Sequence, residues 1–266
     1  MMDIKVALSG SGFRLPAHVG ALQAIKDAGL TISEMAGTSG GSIVAAIYAC
    51  GMPLSDMRDL AMTFDWPSIL TLDLWTGVRK GAYCSGNALL DFLYKETGNK
   101  CLGASPFPIK IIASDIRAEQ EVCLSTMSDP LMPIALAARA SASIPFVFVP
   151  VRYKNYMLVD GGVVNNIPVS HLSAGGMRLG VYLVSNDAPA VGVMGIEDIA
   201  GRTIDLMLAS SEDAHSELTD ATIVRVPTSY AGSLDTKMPL ATRQRLYQDG
   251  YSTVSLALEK AMQQSR

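Results

Sequence analysis

Ile32-Ser33-Glu34-Met35-Ala36-Gly37-Thr38-Ser39-Gly40-Gly41-Ser42-Ile43-Val44-Ala45-Ala46 is the stretch that decides the fold. Ile32 to Ala36 reads as a short strand and Ser42 to Cys50 as an apolar helix closed by Gly51. Gly37-Thr38-Ser39-Gly40-Gly41 lies between them and matches GxSxG. In that motif a tight strand-to-helix turn pushes the serine side chain out of the backbone while the glycines remove clashes. The plain alternative is a glycine turn in which Ser39 caps the helix that follows.

Upstream, Ile4 to Leu8 is a mostly apolar run leading into Ser9-Gly10-Ser11-Gly12. It reads as a strand entering a glycine-bearing loop. Pro16 fits the first turn of a helix, which continues through Val19, Leu22 and Ile25 to a stop at Gly29. Backbone N–H groups of such a loop, helped by the helix dipole, can stabilise an oxyanion. The competing use is a phosphate cradle. Its GxGxxG frame would place Leu15 at the last glycine, with Glu34 as the acidic ribose partner.

Downstream, strands are expected at Ile109–Ala113, ending at Asp115, and at Glu121–Ser125, Tyr156–Val159, Leu179–Val184 and Thr222–Val226. Helices are expected at Leu54–Thr63, Asn87–Thr97, Leu131–Ala142 and Ile196–Ser216, with a last one carrying Tyr247, Tyr251, Val254, Leu258 and Met262 at spacings of three and four. This alternation predicts an α/β fold of three layers, a mainly parallel central sheet covered by helices on both faces. No repeat or linker divides residues 1–266, so one domain is expected. Asp160-Gly161-Gly162 follows the Tyr156–Val159 strand, which would set a carboxylate at the sheet edge that carries the Ser39 turn and the Gly10 loop. Asp115 and Asp187 also follow strands and are rival carboxylates, and Asp-Gly-Gly is also a common turn.

Composition sets the outer limits. The 266 residues are 49% hydrophobic and 17% charged, enough for a large core and against disorder. With 21 basic residues against 25 acidic ones, scattered along the chain, no footprint for a nucleic-acid backbone exists. Cys50, Cys84, Cys101 and Cys123 have neither CxxC spacing nor scaffold density and read as reduced thiols, which suits a cytoplasmic setting. No apolar run is long enough for a signal or a span, and a peripheral contact with a membrane surface stays open. The expected clusters of a zinc or calcium site are absent, so no metal and no cofactor are called for.

Taken together, Gly10 to Arg14, the early GxSxG at Ser39, Ala140-Ser141-Ala142-Ser143-Ile144-Pro145 with Phe148 and Pro150, and Asp160-Gly161-Gly162 through Asn166 and Pro168 resemble the patatin-like phospholipases. The resemblance runs from about Ile4 to Pro168. It implies a Ser-Asp dyad that hydrolyses lipid acyl esters without histidine. Ser39 would be the nucleophile, Asp160 the base, and the backbone N–H groups of Gly10, Ser11, Gly12 and Phe13 the oxyanion donors, with Arg14 the loop's basic residue. In this chain Ser11 replaces the second glycine of the family loop, and Leu15-Pro16 replaces its last, which narrows the expected acyl entrance.

Histidine supplies the rival mechanism. The order Ser39, Asp160, then His171 or His215 is that of an α/β-hydrolase triad, yet the GxSxG here follows the second strand, one helix after the glycine loop. His18 falls on the first helix. Expectation therefore centres on a serine acyl hydrolase acting on phospholipid or lysophospholipid esters. An acyltransferase using the same acyl-enzyme and a silent lipid- or nucleotide-binding module are the alternatives. Phe64, Trp66, Trp75 and Tyr83 fall between two helices, either as an apolar rim over an acyl channel or as packing against the sheet. Oligomeric state is not legible.

Overall fold

A computed structural model of the chain describes residues 2–70, 82–184 and 221–264. The opening unit is β1 (Met2–Leu8), α1 (Leu15–Asp27), β2 (Leu30–Thr38) and α2 (Gly40–Ala49). The two strands pair in parallel from Met2 opposite Leu30 to Leu8 opposite Gly37. A parallel pair needs a crossover, and α1 provides it. Pro16 stands in its first turn as expected. α2 begins two residues earlier than the sequence suggests, because the whole turn is made by Ser39, at φ 51° and ψ −123°.

Next come α3 (Leu54–Thr63), α4 (Asn87–Thr97), β3 (Ile109–Asp115), β4 (Gln120–Ser125) and α5 (Ile134–Ser141). α5 starts three residues later than Leu131 because Pro133 holds the extended conformation that precedes the first turn. β5 (Val151–Tyr153), β6 (Tyr156–Asp160), β7 (Met177–Val184), β8 (Thr222–Pro227) and α6 (Leu240–Gln264) complete the described elements. β5 is too short to show alternation in the sequence. The helix expected at Ile196–Ser216 lies outside the described residues, as do Trp75, Asp187 and His215.

The eight strands form one sheet in the order β5-β6-β3-β2-β1-β7-β8, with β4 joined to β3 alone. The α/β class expected from the sequence holds, in a mixed form. The pairs β1/β2, β2/β3, β1/β7 and β7/β8 are parallel, while β3/β4, β3/β6 and β5/β6 are antiparallel. A short turn joins β3 to β4, and Lys154 at φ 51° helps turn β5 into β6, so neither connection has room for a crossover.

β3 organises the site. β4 pairs with it along Lys110–Asp115, filling one edge. The other edge is shared: β2 occupies Ile109 to Ile112, and β6 occupies Ala113 to Asp115 from the opposite direction. The carboxyl ends of β2 and β6 therefore face each other. The sequence places Asp160 correctly beside the Ser39 turn, but by an antiparallel strand arriving from beyond the sheet edge.

On one face Ile4, Val6, Leu8, Ile109 and Ile111 join the main core with residues of α1, α2 and α5. On the other, Ala7, Ala36 and Tyr182 pack under Ile167, Val169 and Leu172. α1 and α6 touch backbone to backbone: a Cβ on Gly20 would lie 2.0 Å from the Tyr247 carbonyl oxygen, and one on Gly250 2.0 Å from that of Ala17. No described helix is long and apolar enough to cross a membrane.

Candidate active site

Ser39 occupies backbone space that a side chain rarely enters, a cost of about 1–3 kcal/mol that persists only where the surroundings enforce it. They do so here by close contact. A Cβ on Gly37 would sit 2.8 Å from Ser42 Cα, one on Gly40 2.7 Å from the Gly12 carbonyl oxygen, and one on Gly41 2.4 Å from that of Ser9. The Ser39 N–H donates to Ser141 Oγ at 2.8 Å, and Ser42 Oγ donates to the Ser39 carbonyl at 2.6 Å. The elbow is thus held from β1's loop, from α2 and from α5.

The Ser39 hydroxyl makes no bond to the helix it precedes. It donates instead to Asp160 Oδ2 at 2.6 Å. Asp160 Oδ1 accepts the Gly162 N–H at 2.8 Å. The Asp160 backbone is fixed on both sides, its N–H donating to the Ser143 carbonyl and its carbonyl accepting from Ser114 Oγ. Ser39 and Asp160 are each 4% exposed. Burial pushes the Asp160 carboxyl up to about 6, although the bonds from Ser39 and Gly162 pull it down. A hydroxyl hydrogen-bonded to a carboxylate of raised basicity is an arrangement that permits proton transfer near neutral pH.

Asp115 is engaged elsewhere, accepting the Arg117 and Met157 backbone N–H groups through Oδ1. Glu34 pairs with Lys110 at 2.6 Å, so it is tied into the protein. His18 is buried and its Nε2 meets the Ser9 carbonyl at 2.9 Å; burial presses its imidazole down to about 4. His171 bonds Glu121, and with Cys123 and Glu121 beside it is pushed up to about 9. Neither described imidazole bonds Ser39 or Asp160.

The glycine loop is narrower in its free donors than the sequence suggests. The Gly10 N–H donates to the Asn166 carbonyl, that of Phe13 to Ser233 and that of Arg14 to Ser11. Ser11 and Gly12 N–H groups meet no acceptor among the described residues, and neither does Gly40 N–H at the start of α2. Gly12 and Gly40 border the same cavity as Ser39. Gly40 is the residue that the sequence reading passed over, and its place directly after the motif serine was the available signal. Arg14 points back into the fold, where Nε donates to the Ser11 carbonyl and a guanidinium nitrogen donates to Thr228 Oγ1.

The cavity at Ser39 measures about 30 Å³ and is otherwise apolar, lined by Phe13, Leu15, Ile43, Trp66, Ile144 and Phe148 among others. A second, of about 20 Å³, continues toward Met57 and Phe92 and shares Leu15, Ile43 and Trp66 with the first. Trp66 is 3% exposed and packs on Phe13, Phe64 and Phe92. Packing, the second of the two readings for these aromatics, therefore describes Phe64 and Trp66. Among the described ones, Tyr83 is exposed, at 47%. All four cysteines are free thiols.

The profile of the patatin-like phospholipase family matches residues 6–173, and the chain belongs to that family. It is 27% identical over 187 residues to an uncharacterized NTE family protein of Mycobacterium tuberculosis, covering 70% of this chain and 50% of that one. It is 26% identical over 180 residues to lysophospholipase NTE1 of Pyricularia oryzae, covering 66% and 12%. The match covers 28% to 50% of the length of the mycobacterial relatives, so the chain spans half of them or less. VipD from Legionella pneumophila superposes with a TM-score of 0.64 at 15% identity, over 97% of this chain and 67% of that one, which is a likeness of fold.

Proposed function

We propose that the protein is a serine acyl hydrolase that cleaves carboxylic esters of phospholipids or lysophospholipids, with Ser39 as nucleophile and Asp160 as base. Asp160 accepts the Ser39 proton as Oγ attacks the acyl carbonyl. Gly12 and Gly40 N–H groups, with Ser11 behind them, hold the oxygen that becomes negative. The leaving alcohol takes the proton from Asp160, and water then resolves the acyl-enzyme by the same steps in reverse. The observation that carries this reading is the 2.6 Å bond between two buried groups, one of them on a strained elbow. Membership of a phospholipase family and the similarity to a lysophospholipase support the substrate class.

The deciding experiment pairs wild type with Ser39→Ala on lysophosphatidylcholine, on phosphatidylcholine and on a short p-nitrophenyl ester, alongside fluorophosphonate labelling. Hydrolysis and labelling by wild type alone are the expected outcome. Labelling at a residue other than Ser39, or turnover that survives the substitution, overturns the assignment.

A further inference from the structure

Ile144-Pro145-Phe146-Val147 forms a tight turn at the rim of the Ser39 cavity, closed by the Val147 N–H donating to the Ile144 carbonyl at 3.1 Å. Pro145 takes the first corner and Phe146 the second, at φ 66°. That corner is one that glycine fills without strain. Phe146 is strained there, and the residue is 64% exposed. Both the strained backbone and the exposed ring are thus unfavourable in water.

The neighbours give the site its meaning. Ile144 and Phe148, two residues to either side, line the cavity that reaches Ser39. Tyr83, also exposed, donates its N–H to the Phe146 carbonyl at 2.9 Å. The base of the turn is rigid. Buried Arg139 donates to the Gly86, Ser85 and Val149 carbonyls, bonds Ser143 Oγ and lies over the Phe148 ring. An apolar tip on a rigid mount, at the mouth of an apolar cavity, suits insertion into a layer of acyl chains.

We propose that this turn inserts Phe146, with Tyr83 beside it at headgroup level, into the surface of a phospholipid bilayer and seats the Ser39 cavity against the lipid. The assignment rests on the lipid hydrolase reading for the reason to dock there, but not for its test. Phe supplies the apolar payload, and Tyr joins an apolar ring to a hydroxyl that favours the interface.

The test is sedimentation of the full chain with phosphatidylcholine vesicles, for wild type, Phe146→Ser, Phe146→Gly and Tyr83→Ser. Phe146→Gly places the favoured residue at that corner, so it folds with an unchanged or higher melting temperature. Both Phe146 variants are expected to lower the vesicle partition constant by about tenfold or more, the worth of burying one phenylalanine. Turnover of a short soluble ester should stay unchanged, since Phe146 touches neither Ser39 nor Asp160. In Phe146→Trp, phosphatidylcholine brominated on its acyl chains should quench emission beyond the quenching seen in wild type. Wild type that does not sediment, variants that sediment like wild type, or no added quenching overturns the insertion. Loss of binding in the variants of a chain that hydrolyses no ester leaves insertion standing and removes the hydrolase reading instead.

Discussion

Thr38 and Asp160 end two strands that meet head-on along one edge of β3, Thr38 opposite Ile112 and Asp160 opposite Ala113. Adjacent residues of a single strand thus fix the gap between the elbow serine and the carboxylate. The hydrogen bond is a product of sheet register, set by backbone pairing before any side chain is chosen.

Asp160→Asn should separate stability from activity. Burial raises this carboxyl from 3.8 to about 6, so the folded chain holds the proton more tightly than the unfolded one. Its contribution to stability is full below the unfolded value and is lost as pH rises through about 6, a penalty of about 3 kcal/mol at neutral pH. The amide avoids that charge. Melting at pH 8 should occur at a higher temperature in Asp160→Asn than in wild type, the difference should shrink toward pH 4, and ester hydrolysis should fall by about three orders of magnitude. An equal loss of stability at both pH values would mean that Asp160 is not buried as a charge.

The pH dependence of kcat/KM should show an acid limb near 6, following Asp160. Such a limb resembles that of ordinary histidine, but burial presses the His18 imidazole down to about 4, and Cys123 and Glu121 push that of His171 up to about 9. His171→Gln should keep both the limb and most of the activity. Disappearance of the limb in that variant would restore a triad.

The glycine loop should be sensitive to bulk where it touches its neighbours. A Cβ on Gly12 would stand 2.0 Å from the Ser233 carbonyl oxygen at a positive φ, so Gly12→Ala should cost about 3 kcal/mol and most of the turnover. Ser11→Ala keeps the N–H and loses only a 3.2 Å contact with the Gly12 carbonyl, so kcat should stay within about threefold. Thermal melts and initial rates on a short ester distinguish the two.

Trp66 stands between the two small cavities, neither large enough for an acyl chain. Trp66→Ala should merge them and move the preferred p-nitrophenyl ester to longer chains, while lowering stability by about 3–5 kcal/mol. An unchanged chain-length profile in a folded variant would place the acyl chain elsewhere.

Much of this was readable from residues because the information is local. Gly37 to Gly41 and Gly10 to Gly12 announce tight turns through the glycines that only close backbone contact requires, and α1 supplies the crossover that a parallel pair demands. The direction of β6 was not readable, since it depends on which edge of β3 remains open after β2 and β4 have paired. Pairing is a non-local choice that the alternation of Tyr156 to Asp160 does not encode. The donors of the glycine loop were hidden for the same reason: Asn166 and Ser233 lie far along the chain and take up Gly10 and Phe13. Arg139 falls within the helix expected at Leu131–Ala142, and its place as the buried clamp of the rim rests on carbonyls of Ser85, Gly86 and Val149 that no local pattern announces.

The two ends of the Ser39–Asp160 bond are separated by 121 residues. On the ribosome the elbow and the glycine loop emerge first, while the upper edge of β3 waits for a strand not yet made. A nascent or truncated chain that ends before Tyr156 has the serine but not its carboxylate partner, so the proposed activity would switch on only once β6 has docked against β3, with β7 and β8 still to follow.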